Sequence, residues 1–233
     1  MVEKLALLER DFFLWLNSPH SDYLDSVMFT FSDKRIWYFF LIFFFALLFY
    51  RQRVKECLLL ILFVALMMVV SDQLSSAVFK PYFQRFRPTL HPFTEDVVKT
   101  VMGHSGGGLY GFISGHSTNF AALGAFTMLL MRHRGYTVIM TLVVLTTMYS
   151  RVYLGVHFLS DVIAGCLCGT LVGIVMYYLY RETRSSFFKI PDRQKSVCYI
   201  TPRSRIDKIA LSLVTLYLAF WILGPIVYPI LYL

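Results

Sequence analysis

Six long apolar runs dominate this sequence, and they restrict its fold more than any other feature. A helix that crosses the hydrocarbon core of a bilayer needs about 20 residues, within a range of about 17–25. Charged residues make up 15% of the chain, against about 25% in soluble domains. We therefore expect an all-α, polytopic membrane bundle of about six transmembrane helices, forming one integral-membrane domain over 1–233. The runs cover about residues 36–50, 56–78, 114–131, 136–150, 157–180 and 209–231.

Both ends of the chain differ from this core. Residues 1–20 are too charged for a secretory signal, and their apolar side chains favour an amphipathic helix at a membrane surface. The face of that helix comprises Leu5, Leu8, Phe12, Phe13 and Leu16. The last run, 209–231, is an extra C-terminal helix in which Gly224, Pro225 and Pro229 predict a kink or a partly re-entrant end.

Basic residues are concentrated in three loops, which the positive-inside rule assigns to the cytosol. These loops are about 51–55, 132–134 and 181–208. The loops 79–113 and 151–156 then face outward, which predicts a bacterial inner-membrane protein whose outward side is the periplasm or the exterior. The net charge of +8 is attributed to these loops and to anionic head groups, and nucleic acid is excluded as a partner.

Three small residues mark a packing surface in the fifth run. Gly165, Gly169 and Gly173 recur every four residues and so line one face of a helix. Such a face allows the backbone of a neighbouring helix to approach closely.

The stretch SRVYLGVHFLSD carries three polar residues on the outward side. His157 and Asp161 are four residues apart at the start of an apolar helix, so they share a face. A carboxylate on one imidazole nitrogen fixes the tautomer and prepares the other nitrogen as a nucleophile or base. Arg151 precedes the pair, and its planar guanidinium suits a phosphate. A structural polar pair and an arginine at the membrane interface are the alternatives.

Two further clusters lie on the same side. Lys80 and Arg87, each beside a proline, are cations where basic residues should be rare, which indicates an anion. Ser114 and Gly115 lie where a helix begins, and the unpaired N–H groups of a helix start bind anions. His116 is then placed to protonate a departing oxygen. A solvated basic face and a simple helix cap are the ordinary alternatives. Together the three clusters fit nucleophilic phosphoryl transfer without a metal or another cofactor.

These residues resemble the signature of the type-2 phosphatidic acid phosphatases, a superfamily of lipid phosphatases that also includes vanadium haloperoxidases. The family pattern is K-x6-RP, then PSGH, then SR-x5-H-x3-D. Residues 80–88 fit the first motif, 114–116 fit three of the four letters of the second, and 150–161 fit the third in full. The resemblance covers about residues 70–180, the motif-bearing core.

The resemblance implies a helical bundle with its site at the outer membrane–water interface. His157 is then the nucleophile that forms a phosphohistidine, assisted by Asp161, and His116 protonates the leaving lipid oxygen. The residues that hold the phosphate are Lys80, Arg87, Ser114, Gly115 and Arg151. Enzymes of this kind need no divalent metal and are typically inhibited by vanadate.

Ile113 is the one departure from the pattern, because the family has proline there. Proline would fix the entry of the chain into the helix. We therefore expect altered efficiency at this position, and not a loss of function.

The implied reaction is dephosphorylation of a membrane lipid phosphate or diphosphate at the outer face of the membrane. Its candidate substrates are undecaprenyl diphosphate, lipid A phosphate, phosphatidylglycerol phosphate and phosphatidic acid. Arg85, His91 and His104 in the outward loop hint at a larger anionic head group, without ranking these lipids.

Two other classes of protein stay open. One is a non-catalytic anionic-lipid binding protein or a transporter, which would use the charges for recognition alone. The other is a metal-dependent membrane hydrolase with His116, His157 and Asp161 as ligands, which the three nearby cations disfavour. Besides the lipid bilayer and a lipid phosphate, the sequence indicates no obligate protein partner.

Overall fold

The computed structural model describes residues 2–50, 52–191 and 204–232, and the regular elements in these ranges are helices. A π-helical turn, Leu74–Phe79, joins the helix Val54–Gln73 to the short helix Lys80–Phe83, and a 3₁₀ turn, Pro88–Leu90, follows. The α-helices are α1 (Val2–Asn17), α2 (Asp22–Ser32), α3 (Lys34–Phe49), α4 (Val54–Gln73), α5 (Lys80–Phe83), α6 (Gly115–Met131), α7 (Arg134–Tyr153), α8 (Leu159–Phe188) and α9 (Ser204–Tyr232).

Four helical stretches of the described chain are long and apolar enough to cross a membrane. They are Val54–Phe83, Arg134–Tyr153, Leu159–Phe188 and Ser204–Ile230. Helices α3 and α6, with 16 and 17 residues, are shorter. The all-helical membrane fold is thus confirmed, whereas the number of six spans stays a prediction. Arg51 and residues 192–203, parts of two loops assigned to the cytosol, lie outside the described residues.

Helices α6 and α8 pack with their backbones in contact, as the glycine spacing predicts. A Cβ atom at Gly165 would lie 2.7 Å from the carbonyl oxygen of Ser114, and one at Gly169 would lie 2.1 Å from that of Thr118. At Gly173 the corresponding distance to the carbonyl oxygen of Ala122 is 2.3 Å. Side chains at these positions would force the helices apart, so the glycines fix the position of the start of α6 against α8.

Helix α1 docks on the end of the bundle that carries the motifs. The amide of Asn17 donates to the carbonyl oxygen of Tyr153 at 2.7 Å, and the rings of Phe13 and Phe158 pack with centroids 5.1 Å apart. Phe13 therefore faces the protein, and not the membrane surface that the sequence predicts for it. The apolar side chains that remain exposed on α1 include Leu5, Leu8, Phe12 and Trp15. Their position at a membrane surface stays a prediction.

Helix α9 corrects one expectation about the C-terminal run. It continues through Pro225 and Pro229 to Tyr232 as a helix, so the described part of this run has no re-entrant end, and the kink stays a prediction. Gly224 serves instead as a contact point, because a Cβ there would lie 3.2 Å from the Cα of Val27 in α2.

Candidate active site

The three polar clusters meet around one cavity of about 570 Å³. Two of the eight residues that the sequence predicts for the site, Ser114 and Asp161, are fully buried behind it. The six that line it are Lys80, Arg87, Gly115, His116, Arg151 and His157. The fold therefore brings together segments that are more than 70 residues apart in the chain.

His157 lies between a carboxylate and a guanidinium. Its Nδ1 is 3.5 Å from Oδ2 of Asp161, and its Nε2 is 3.1 Å from Nη1 of Arg87. A guanidinium can only donate, so Nε2 is the accepting nitrogen and the ring proton belongs on Nδ1. The accepting nitrogen carries the lone pair that a nucleophile needs, and it points toward the residue that would bind phosphate.

The same surroundings keep His157 neutral. Burial lowers the pKa of its imidazole well below 6.5, and the positive charges of Arg87, Arg151 and Lys80 lower it further. A neutral imidazole is the form that can attack phosphorus, so these surroundings keep His157 in the form that its predicted role as nucleophile requires.

Arg87 is held by a run of three glycines, GGG, at residues 106–108. Its Nε and Nη2 donate to the carbonyl oxygens of Gly108 and Gly107 at 2.9 and 2.7 Å, and Nη1 donates to that of Val156 at 3.0 Å. A Cβ at Gly106 would lie 2.7 Å from Nη1 of Arg87. The sequence offered no role for the GGG run. In the structure this run supplies carbonyl groups that orient the guanidinium.

Arg151 is the second buried guanidinium of the site. Its Nη1 donates to the hydroxyl of Ser32 at the end of α2. Its Nε is buried and has no hydrogen-bond partner among the described residues, which is costly for a charged group unless an anion binds. Sequence reasoning missed Ser32, because α2 is a short helix without a motif.

The second motif supplies the start of α6. Ser114 is the N-cap residue, and its Oγ accepts from the backbone N–H of Ser117 at 3.4 Å. The hydroxyl of Ser114 is therefore engaged behind the cavity, whereas Gly115 lines the cavity itself. Nε2 of His116 lies 3.2 Å from the carbonyl oxygen of Ser32. A phosphate contact by the Ser114 hydroxyl stays a prediction.

Ile113 is fully buried just before this helix. Its carbonyl oxygen accepts from Oγ of Ser75 at 3.1 Å, and its side chain packs with Phe79 and Phe83. It does not line the cavity, so its side chain has no direct access to a bound phosphate.

Arg85 and His91 are not placed to bind a head group. Arg85 is fully buried and forms an ion pair with Glu9 at 2.7 Å, and His91 is buried against the ring of Phe158. His104, in contrast, lines a neighbouring cavity of about 380 Å³ that shares His116 with the first. Of the three residues that suggested a larger head group, His104 alone faces a cavity.

Metal-ligand geometry is a separate matter. Within the described residues, no three His, Cys, Asp or Glu side chains converge as a set that could hold a metal ion. His116, His157 and Asp161, which the metal-dependent alternative requires, do not form such a set. Metal independence of the reaction itself stays a prediction.

Two curated proteins are similar to this chain over most of its length. The chain is 44% identical over 184 residues to a lipid A 4'-phosphatase of Porphyromonas gingivalis, covering 79% of this chain and 78% of the relative. It is 31% identical over 181 residues to a lipid A 4'-phosphatase of Bacteroides thetaiotaomicron, covering 77% and 80%.

A solved structure of similar fold and a matching family model complete the comparisons. The crystal structure of a transmembrane PAP2-type phosphatidylglycerolphosphate phosphatase from Bacillus subtilis superposes with a TM-score of 0.57 at 20% identity, covering 81% of this chain and 89% of that one. Residues 58–185 match the model of the PAP2 superfamily, which confirms the resemblance drawn from the three motifs. The chain therefore belongs to the PAP2 superfamily.

Proposed function

We propose that this chain removes the 4'-phosphate of lipid A, through a phosphohistidine on His157, at the periplasmic or outer face of a bacterial inner membrane. The reaction class, dephosphorylation of a membrane lipid, follows from the family and from the names of both relatives. The choice of lipid, the residue roles and the side of the membrane are the proposal.

The observation that carries the proposal is that one cavity joins a cationic end to an apolar wall. Lys80, Arg87 and Arg151 supply positive charge for a phosphate. The other part of the wall comes from α3 and α4 and includes Trp37, Tyr38, Leu41, Met68 and Val69. A molecule that fills such a cavity needs a phosphate and an apolar portion in contact with it, which is the chemistry of a lipid phosphate.

The neighbouring cavity favours a large polar head group. It shares Gly107, His116 and Arg151 with the first cavity, so it opens on the same phosphate position. It adds polar groups that can bind sugar hydroxyls, and these are Ser32, Asp33, Arg35 and His104. A phosphorylated sugar fits this pair of cavities better than the small glycerol of phosphatidic acid does.

The reaction then proceeds in two displacements. Nε2 of His157 attacks phosphorus, a P–N bond forms, and the ester P–O bond breaks with its electron pair on the sugar oxygen. His116 donates a proton to that oxygen, while the cations neutralise the charge on the equatorial oxygens. Water next attacks phosphorus of the phosphohistidine as His116 takes its proton, the P–N bond breaks with its electron pair on Nε2, and inorganic phosphate leaves. Asp161 keeps the proton of His157 on Nδ1 throughout.

A substrate panel with purified protein in detergent tests the choice of lipid. Lipid A, undecaprenyl diphosphate, phosphatidylglycerol phosphate and phosphatidic acid are compared by phosphate release, and mass spectrometry locates the phosphate that lipid A loses. We expect lipid A to be turned over fastest, with loss at the 4' position. Faster turnover of another lipid would exclude the substrate while leaving the reaction class in place.

The His157→Ala variant tests the reaction class against a binding protein or transporter. We expect it to lose phosphate release and the acid-labile phosphoenzyme together, while the protein still binds lipid A. Turnover at the wild-type rate would exclude His157 as the nucleophile. Activity that a chelator removes and a divalent cation restores would favour the metal-dependent alternative.

A further inference from the structure

Arg85 is a fully buried cation that belongs to neither cavity. Its Nη2 donates to Oε1 of Glu9 at 2.7 Å, and its Nη1 donates to Oγ of Ser160 at 2.6 Å. Nη1 also lies 3.1 Å from Oδ1 of Asp161, and the guanidinium sits 4.4 Å from the centroid of the Phe158 ring. These contacts engage both terminal nitrogens of the guanidinium, whereas its buried Nε has no hydrogen-bond partner among the described residues. Removing one partner of such a buried charge is costly, since it leaves the ion less compensated.

The two carboxylate oxygens of Asp161 face different partners. Oδ1 faces Arg85, whereas Oδ2 accepts from the backbone N–H of Phe158 at 2.9 Å and faces Nδ1 of His157. A carboxylate contacted on each oxygen cannot rotate freely about its terminal bond. The Phe158 N–H on Oδ2 and the Arg85 guanidinium near Oδ1 therefore together restrict the orientation of the carboxylate beside His157.

Glu9 completes the network from a different helix. Its Oε2 accepts from the backbone N–H of Ser160 at 2.8 Å, and its Oε1 accepts from the hydroxyl of Ser160 at 2.5 Å. Of the two carboxylates that contact Arg85, Glu9 is the nearer, at 2.7 Å against 3.1 Å for Asp161. Without Glu9, the guanidinium would have Asp161 as its remaining carboxylate, and the attraction would draw Asp161 away from His157.

We propose that Glu9 and Arg85 are positioning residues for the reaction, which hold the Asp161 carboxylate against the ring of His157. This proposal rests on the proposed function, in which His157 attacks phosphorus. It makes α1, a helix outside the three motifs, a part of the catalytic apparatus. The alternative is a purely structural ion pair that fastens α1 to α8.

Turnover kinetics of Glu9→Gln and Arg85→Lys separate these two roles. We expect kcat to fall by about ten- to a hundredfold, the range seen for partners that orient a reacting group, with KM for the lipid nearly unchanged. If the ion pair is purely structural, the two variants should have a lower melting temperature and a smaller active fraction. Their kcat per folded molecule should then equal that of the wild type. Wild-type kcat in Glu9→Gln would overturn the proposal.

The Asp161→Asn background gives the second criterion. If Glu9 acts through Asp161, Glu9→Gln should lower kcat much less in that background than in the wild type. An equal loss in both backgrounds would show that Glu9 acts by another route and would overturn the proposal.

Two matched controls isolate the effect. Asp11→Asn removes a carboxylate from the same helix, at a side chain that is exposed and paired with Arg10. Arg184→Met breaks a largely buried ion pair with Glu56, which has a 2.7 Å contact, near the other end of α8. Both controls should keep wild-type kcat, although Arg184→Met should melt at a lower temperature.

Vanadate binding, measured by calorimetry, distinguishes failure of this inference from failure of the proposed function. Vanadate forms a bond to the attacking nitrogen, so its affinity depends on His157. Inorganic phosphate forms no such bond, so its affinity depends on the cations. We expect Glu9→Gln to weaken vanadate binding and to leave phosphate binding unchanged. A wild-type protein that binds vanadate but releases no phosphate from any lipid would contradict the function alone. Equal vanadate affinity in wild type and Glu9→Gln would contradict the positioning role.

Discussion

Nη1 of Arg87 lies 3.1 Å from Nε2 of His157. The cation that would bind the substrate phosphate and the nitrogen that would attack it are thus in direct contact. A phosphate that takes the place of this contact arrives next to the lone pair of Nε2, so binding and alignment for attack are one event.

This contact predicts the outcome of Arg87→Lys. Lysine keeps the positive charge, but its single ammonium cannot contact the carbonyl groups of Gly107 and Gly108 and the ring of His157 together. We expect kcat/KM to fall by about 10²–10³, as for loss of one preorganised donor. Phosphate release from lipid A measures the effect. Wild-type turnover in this variant would show that charge alone suffices at this position.

The pH dependence of kcat/KM reports the state of His157. Its pKa is lowered well below 6.5, by burial first and then by Arg87, Arg151 and Lys80, while Asp161 offers the opposing charge. Because the neutral ring attacks, activity should persist above pH 6.5 and decline as the pH falls through the lowered pKa.

Lys80→Gln should shift this low-pH decline of activity, called here the acid limb, to a higher pH. Removing one positive charge raises the pKa of His157 toward its ordinary value, so activity should decline at a higher pH than in the wild type. The ionisation of the substrate phosphate is common to both proteins and cancels in the comparison. Lys99→Gln, at a lysine of the 79–113 loop that donates to the carbonyl oxygen of Ser18, is the control. An acid limb at the wild-type pH in Lys80→Gln would contradict the electrostatic origin of the shift.

Ser32 is predicted to orient Arg151 from outside the motifs. Ser32→Ala removes the hydroxyl that accepts from Arg151 and keeps the carbonyl group next to His116. We expect kcat/KM to fall by about 10- to 100-fold, because a hydrogen bond to a charged group contributes about 1.5–3 kcal/mol. Ser26→Ala, which removes a hydroxyl bonded within α2, should leave kcat/KM unchanged. Equal activity of the two variants would exclude the role.

Gly169→Ala tests the packing of α6 on α8. The added Cβ would lie 2.1 Å from the carbonyl oxygen of Thr118, so the helices must separate, and overpacking costs about 1–3 kcal/mol. The melting temperature in detergent should fall, and activity should fall with it because α6 carries His116. Leu167→Ala, at a side chain that is 68% exposed on the same helix, should melt close to the wild type. An unchanged melting temperature in Gly169→Ala would show that the helices can part without cost.

Ile113→Pro should alter efficiency without abolishing it. Proline retains the carbonyl group that accepts from Ser75, although it loses part of the packing against Phe79. His116→Ala, in comparison, should lose about 10²–10⁴ in turnover with loss of the proton donor. Phosphate release by the two variants in parallel decides the matter, and a comparable loss in both would assign Ile113 a larger role than its position indicates.

Local patterns in the sequence predict the membrane helices and the three motifs well. Apolar runs set the helices, and fixed spacings place His157 and Asp161 on one face, since both depend on neighbours along the chain. The close contact at Gly169 was also predictable, because small residues four apart have few other uses in a membrane helix.

Partners that are distant in the chain could not be predicted. In the sequence, Arg85 resembles a cation that binds the substrate. Glu9, which pairs with it in the interior of the protein, is 76 residues away in the chain. Ser32 is the last residue of a helix of 11 residues that mixes polar and apolar side chains. In both cases the role of the side chain comes from a tertiary contact that no local spacing encodes.

The docking of α1 also bears on how such a protein is handled in solution. Leu8, Phe12 and Trp15 are exposed on this helix, and Glu9 lies on the adjoining side, within the network that surrounds Asp161. A detergent or lipid that contacts those three side chains acts on the helix that carries Glu9, so any shift of this helix would move Glu9 within the network. We therefore expect the turnover rate to depend on the choice of detergent, nanodisc or native lipid, as it depends on the choice of buffer.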